Sequence, residues 1–323
     1  MQNQNYNERN NMLKFSNESL FEITNILEEK LQTLKEKELL QFEVLNPDIK
    51  SSKYAGSVIE LDKTYIYRSL KTWMDLAELL FCKMLMPKYI SDTLVELRFE
   101  KLDLHDSFHQ DIVQKEEKYG AESSFSKLNK NEEPAFLLHY LKALKNVNIN
   151  TRIRILNLGI NSGSEFEVIK QYATNFESLE LIGIDYSSSA IAEAQDKFKE
   201  SNVSFITHDI NKLESLELGK FDLIISVGTL QSTSIDFKLV FMSLIQNYLK
   251  KEGSLILAFP NCRWIDGEMI YGAKAKNYSF PEMSLMFKDV YFCKKYLQQK
   301  KFRVTLTGKN YIFLTATSIR KKD

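Results

Sequence analysis

The residues of this chain whose types and spacing suit chemistry are Gly159 and Gly163 in LNLGINSG, Asp185 in LIGIDY and Asp209 in THDI. Glycines at a sharp turn let main chain approach a ligand closely, and a helix that starts at once turns free N–H groups toward it. An acid at the end of the next strand completes a pattern that points to a nucleoside-containing cofactor. The turn runs from Asn157 to Gly163, behind a short apolar strand carrying Ile153, Ile155 and Leu156, and a helical pattern opens at Ser164.

These residues are useful only if a sheet presents them together. The spacing predicts strands over 179–185, 203–209, 221–228 and 253–260, with helices over 187–200, 235–250 and 287–300 between them. FDLIISVG is apolar enough to be buried on both faces. FRVTLTG and YIFLTATSI close as a hairpin around Gly308-Lys309-Asn310. The expected fold is therefore α/β, a doubly wound seven-stranded sheet with its last strand antiparallel, flanked by helices. Before it, Ser19 and Glu22 have capping-box spacing, and Ile23, Leu27, Leu31 and Leu34 recur at helical spacing. A longer helix is expected from Thr64, with Ile66, Leu70, Trp73, Ala77 and Leu80 on one face and Pro87 ending it. Val95, Leu97 and Phe99 alternate with charges and fit a strand or a short helix. Pro134 opens a helix with Leu137, Leu138, Leu141 and Leu144 inside. The expected organisation is a disordered polar tail over 1–15, a mainly helical accessory region over 16–131 and the α/β domain over 132–323. Residues 261–285 form a lid insertion in that domain, or else an excursion that packs on the N-terminal region.

Lys plus Arg and Asp plus Glu both number 43, so the formal net charge is zero. Such a chain lacks the broad basic field of non-specific nucleic-acid binders. The three cysteines, Cys82, Cys262 and Cys293, have neither zinc-ligand nor disulfide spacing. No apolar run is long enough to span a membrane, and MQNQNYNERNN lacks an apolar signal core. A cytoplasmic protein is expected, without a membrane partner and without a resident metal; the sequence gives no oligomeric state.

Taken together, these elements resemble the class I S-adenosylmethionine-dependent methyltransferases over about residues 132–319. The resemblance implies a cofactor, S-adenosyl-L-methionine, and a role for each matching residue. Gly159 and Gly163 would contact its amino-acid part through backbone, with Asn157 and Asn161 in the same loop. Asp185, followed by Tyr186, would accept both ribose hydroxyls. Asp209 would meet the adenine amino group, with Ile210 lining the base pocket. Gly228 and Thr229 would stand where the fourth strand opens onto the methyl donor. The family usually carries an acid where Asn157 stands, and often a second glycine where Asn161 stands. Asparagine keeps an acid's geometry without its charge, and it tolerates positive φ. A nicotinamide cofactor is the rival, but its Gly-x-Gly-x-x-Gly pattern is absent.

The implied activity is methyl transfer to a small molecule. RNA or protein as acceptor, another use of the same cofactor, and a non-catalytic interaction protein stay open as alternatives. Candidates for contact with the acceptor are Thr229, Gln231, Arg263 and Trp264. Base candidates are His105 and His109, one helical turn apart in LHDSFHQD, and Tyr271; no third ligand accompanies the two histidines. His139 is expected in the core, and His208 should point away from the cofactor by strand alternation.

Overall fold

A computed structural model describes residues 12–49, 54–106, 123, 127–232, 234–272 and 283–320. The chain divides into two compact units, Met1–Ser107 with Trp264–Tyr271, and Phe108–Arg263 with Gly272–Asp323.

In the first unit the order is β1 (Leu13–Lys14), α1 (Leu20–Thr33), β2 (Leu39–Leu45), β3 (Val58–Glu60), β4 (Thr64–Ile66), α2 (Leu70–Leu79), β5 (Cys82–Tyr89) and β6 (Leu94–Lys101). Four strands form one sheet in the order β1-β2-β6-β5. Leu40, Phe42 and Val44 of β2 and Val95, Leu97 and Phe99 of β6 are buried in one cluster with Ile23, Leu27 and Leu31 of α1 and Trp73 of α2. Phe42 sits at its centre, 5.1 Å from the ring of Phe99, 5.6 Å from Phe15 and 5.7 Å from Trp73. The capping box at Ser19 is formed in full.

This unit is α+β, not mainly helical, and the reasons are local. Period-two alternation in LLQFEVL and LVELRFE makes strands, because every second side chain meets the same face. The helix expected from Thr64 starts later: Ser69 caps α2 by accepting from Thr72 N–H, and Phe81 at φ +54° turns the chain into β5. Pro87 therefore ends no helix. It lies in an edge strand at the register shift between Leu85 and Lys88, where a missing N–H breaks no ladder bond.

The second unit runs α3 (Pro134–Asn146), β7 (Arg154–Leu158), α4 (Ser164–Tyr172), β8 (Glu180–Asp185), α5 (Ser188–Lys197), β9 (Val203–Thr207) and β10 (Phe221–Val227). The chain continues with α6 (Phe237–Ser243), extended by a π turn over Leu244–Tyr248, then β11 (Leu249–Pro260), the strands β12 (Cys262–Ile265) and β13 (Glu268–Tyr271), whose residues from Trp264 on count with the first unit, and α7 (Ser284–Gln299), β14 (Phe302–Gly308) and β15 (Tyr311–Ser318). Seven strands pair in the order β14-β15-β11-β10-β7-β8-β9. Neighbours from β9 through β11 are parallel, and β15 alone runs against both its partners. Six of the seven side chains of β10 are buried, as both covered faces require.

Helix α3 begins at Pro134 but buries Phe136, Tyr140, Ala143 and Leu144. Leu138, expected inside, is 65 % exposed. The aromatic rings win the inner face because Phe136 packs 5.2 Å from Tyr311 and 5.6 Å from Phe313, and each buried ring contributes about 1.5–3 kcal/mol.

The pairing of β12 with β13 makes a hairpin, and its tip, Trp264–Tyr271, is a fixture of the first unit. Ile265 and Ile270 are buried against Leu102 and Phe81. Asp266 pairs with Lys37 and accepts from Asp103 N–H, Glu268 pairs with Lys83 at 2.8 Å, and Glu78 accepts from Tyr271 N–H. The rest of the expected lid, residues 273–282, lies outside the described residues.

Candidate active site

The glycine turn is built by backbone that few residues tolerate. Gly159, Asn161 and Gly163 have φ of +74°, +50° and +93°. Gly159 N–H donates to Ile184 C=O of the neighbouring strand, and Gly163 caps α4. Space is also limiting: a Cβ on Gly159 would lie 1.8 Å from Thr229 Oγ1, and one on Gly163 would lie 2.7 Å from Phe198. Asn161 holds its turn with its own side chain, Oδ1 accepting from Ser162 N–H at 2.8 Å.

At the carboxyl end of β8, Asp185 is drawn to this loop. Its Oδ2 accepts from Asn161 N–H at 2.9 Å and its Oδ1 from Ser187 N–H at 3.0 Å. Burial pushes its carboxyl above the usual aspartate range; the N–H groups of Ser187, Asn161 and Tyr186 oppose the rise, and the charge of Glu165 adds to it. A carboxylate offers about four acceptor sites, so capacity for a hydroxyl donor is left beside these N–H groups. Tyr186, beside it, is 52 % exposed.

Asp209 follows β9 and caps the short 3-10 turn Ile210–Leu216, its Oδ1 accepting from both nitrogens of Asn211. Each acid thus does the local capping work open to it as well. Ile210 is buried in the main core with Leu158, Ile184 and Leu230. His208 is tied to the 3-10 turn, Nε2 lying 2.9 Å from Lys212 C=O and 3.0 Å from Ser215 Oγ. Gly228 follows β10 with φ +73°, donating to Ala258 C=O.

Two polar groups test whether a ligand suits this cleft. Asn157 is fully buried, and neither Oδ1 nor Nδ2 finds a partner among the described residues. Gln231, three residues past the turn at Gly228, has a buried Oε1 with no partner among the described residues. A buried polar atom left bare costs about 1–3 kcal/mol, so each has unused capacity for a hydrogen bond. The donor loop, the two acids and the bare carboxamide fit a nucleoside that carries an amino-acid end.

The second unit thus holds every candidate cofactor residue, together with Thr229, Gln231 and Arg263. Burial lowers the Arg263 guanidinium's hold on its proton. Trp264, Tyr271 and His105 belong to the first unit, where His105 is exposed. His109 lies outside the described residues, as does Lys274 of the expected lid. His139 is half-buried, with an unpartnered Nδ1. Among the described residues no group of three His, Cys, Asp or Glu side chains is placed to hold a metal ion.

Sequence reasoning missed Glu165. Its side chain is 1 % exposed on α4, with Oε1 held 2.9 Å from Lys130 Nζ. The available signal was its position: Glu165 shares a helix face with Val168, Ile169 and Tyr172, where a charge is out of place.

Residues 149–306 match the family model Methyltransf_31, described as a methyltransferase domain. No curated protein matches the sequence. Among solved structures, the plantazolicin methyltransferase BpumL, in complex with a substrate analogue and SAH, is 15 % identical with a TM-score of 0.44, over 60 % of this chain and 89 % of that one. The magnesium protoporphyrin IX methyltransferase ChlM from Synechocystis PCC 6803, with SAM bound, is 17 % identical with a TM-score of 0.39, over 64 % and 99 %. A SAM-dependent methyltransferase from Aquifex aeolicus is 16 % identical with a TM-score of 0.40, over 60 % and 98 %. The family match lies within the α/β domain of this chain, whose seven-stranded sheet has β15 reversed against both neighbours.

Proposed function

We propose that the protein transfers a methyl group from S-adenosylmethionine to a small-molecule acceptor, and that the residues at the strand ends of the second unit hold the cofactor. The observation that carries this reading is Asp185, fixed by backbone donors beside the positive-φ turn at Gly159–Gly163. The cofactor supplies a methyl group already activated on a sulfonium, so the protein's task is to bind, orient and exclude water. Asp185 holds the ribose hydroxyls and Asp209 the adenine amino group. The N–H groups of the turn face the amino-acid end. Thr229 and Gln231, just beyond β10, orient the acceptor, and Arg263 beyond β11 joins them. A small acceptor accords with the chain's balanced charge, 43 basic against 43 acidic residues.

Titration calorimetry with S-adenosylhomocysteine tests the cofactor site. Wild-type protein should bind, and Asp185→Ala should bind about tenfold to a few hundredfold more weakly, the loss of one or two hydrogen bonds to a charged group. No binding, or an unaffected variant, removes the assignment. Incubation of a cell extract with methyl-labelled cofactor tests the acceptor: label should enter the small-molecule fraction, and label confined to RNA or protein would overturn that part.

A further inference from the structure

Asn157 presents a problem that the rest of the site does not solve. Its carboxamide is fully buried and unpartnered among the described residues, and being neutral it cannot balance an ammonium group. A buried charge sits nearby on the same loop-to-helix segment. Glu165 is the second residue of α4, two positions past Gly163, and its side chain is 1 % exposed. Oε1 meets Lys130 Nζ at 2.9 Å, while Oε2 is buried without a partner. Lys130, 12 % exposed at its side chain, lies over the Phe136 ring at 5.5 Å. The charge of Glu165 adds to the upward push that burial gives the Asp185 carboxyl and the phenols of Tyr140 and Tyr311.

A buried ion pair is favourable only when its remaining donors and acceptors are satisfied. Lys130 has spare N–H donors and Glu165 a spare oxygen, so the pair is incomplete in a definite way: it lacks one acceptor and one donor. An α-amino acid supplies both on adjacent bonds, its carboxylate and its ammonium. The start of α4 adds N–H groups and the positive end of a dipole on the carboxylate's side.

We propose that Lys130 and Glu165 together grip the amino-acid end of S-adenosylmethionine, Lys130 at its carboxylate and Glu165 at its ammonium, with Glu165 supplying the charge that Asn157 lacks. The proposal rests on the cofactor reading above. A purely structural role is the alternative: the pair could pin the 130–132 turn to α4, as Asn131 Nδ2 already does on Ser164 C=O at 2.9 Å.

Two ligands separate these roles. S-adenosylhomocysteine carries the amino-acid end, and 5′-methylthioadenosine has the same adenosine and thioether without it. Calorimetry on the full chain should show Glu165→Gln and Lys130→Met each weakening S-adenosylhomocysteine about tenfold or more, the loss of a charge-assisted contact, with methylthioadenosine changed less than about twofold. Equal losses for both ligands, or unchanged S-adenosylhomocysteine affinity, overturn the proposal and leave the cofactor reading standing. Failure of wild-type protein to bind either ligand brings down both. Wild-type protein supplies an arm that does not depend on the folding of those variants. An S-adenosylhomocysteine analogue lacking only the α-amino group should bind it about tenfold more weakly than S-adenosylhomocysteine, and equal affinity would show no charge facing the ammonium and overturn the role of Glu165.

Discussion

At Asp185 two pH dependences run in opposite directions. Burial holds its carboxyl above the ordinary aspartate range, so the folded, ligand-free protein binds this proton more tightly than the unfolded chain does. The stability this group contributes is complete below the unfolded pKa and is lost as pH rises through the folded one. Ribose hydroxyls favour the carboxylate instead, so affinity for S-adenosylhomocysteine should fall on acidification. The fall should begin at a higher pH than an ordinary aspartate would give. Dissociation constants measured across mildly acidic pH should show that step in wild type and not in Asp185→Asn; a step that survives the substitution assigns it elsewhere. The sequence revealed this acid by its place at a strand end. It did not reveal that three backbone N–H groups hold it, because those contacts depend on how the loop and the next helix fold back.

Among the elements, the turn after β7 has the least freedom. Gly159 needs positive φ and also lies against Thr229, so Gly159→Ala suffers both backbone strain and a clash. The variant should lose stability by about 1–3 kcal/mol and bind S-adenosylhomocysteine more weakly; a fully stable variant with wild-type affinity would contradict this geometry. In the first unit, Phe42→Ala empties the centre of a cluster of aromatic rings and should cost about 3–5 kcal/mol by chemical denaturation. The proposed cofactor residues lie on other elements, so the folded variant should keep its affinity. The βα alternation after residue 150 was readable because buried parallel strands and amphipathic helices write different periods. The first unit was less readable because β1, β3 and β4 have only two or three residues each, and β1 and β4 lie next to helices. Across 64–80 the apolar spacing continues smoothly, and only the Ser69 cap shows that β4 ends before α2 begins. In α3 the error was one of rotation: leucines and aromatics both recur at helical spacing, and partners on β15 decided which turned inward.

For the whole molecule, cofactor binding and folding are linked. A ligand that binds only the folded form at about a hundred times its dissociation constant adds about 2.7 kcal/mol. S-adenosylhomocysteine should therefore raise the melting temperature by several degrees, and Asp185→Ala should abolish most of the shift. Among the described residues no helix is long and apolar enough to cross a membrane, and all three cysteines are buried and in no disulfide. Burial pushes the Cys82 thiol up to about 12, so it stays a thiol at neutral pH. The hairpin tip at Trp264–Tyr271 has a further consequence for dissecting the protein. Because those eight residues leave from the catalytic half of the sequence and fold into the other half's interior, no single cut yields two whole pieces. A fragment starting at residue 108 would carry Ile265 and Ile270 stripped of Leu102 and Phe81, two greasy side chains bared to water. Such a fragment should precipitate, and trimming the tip to a short polar turn should restore its solubility.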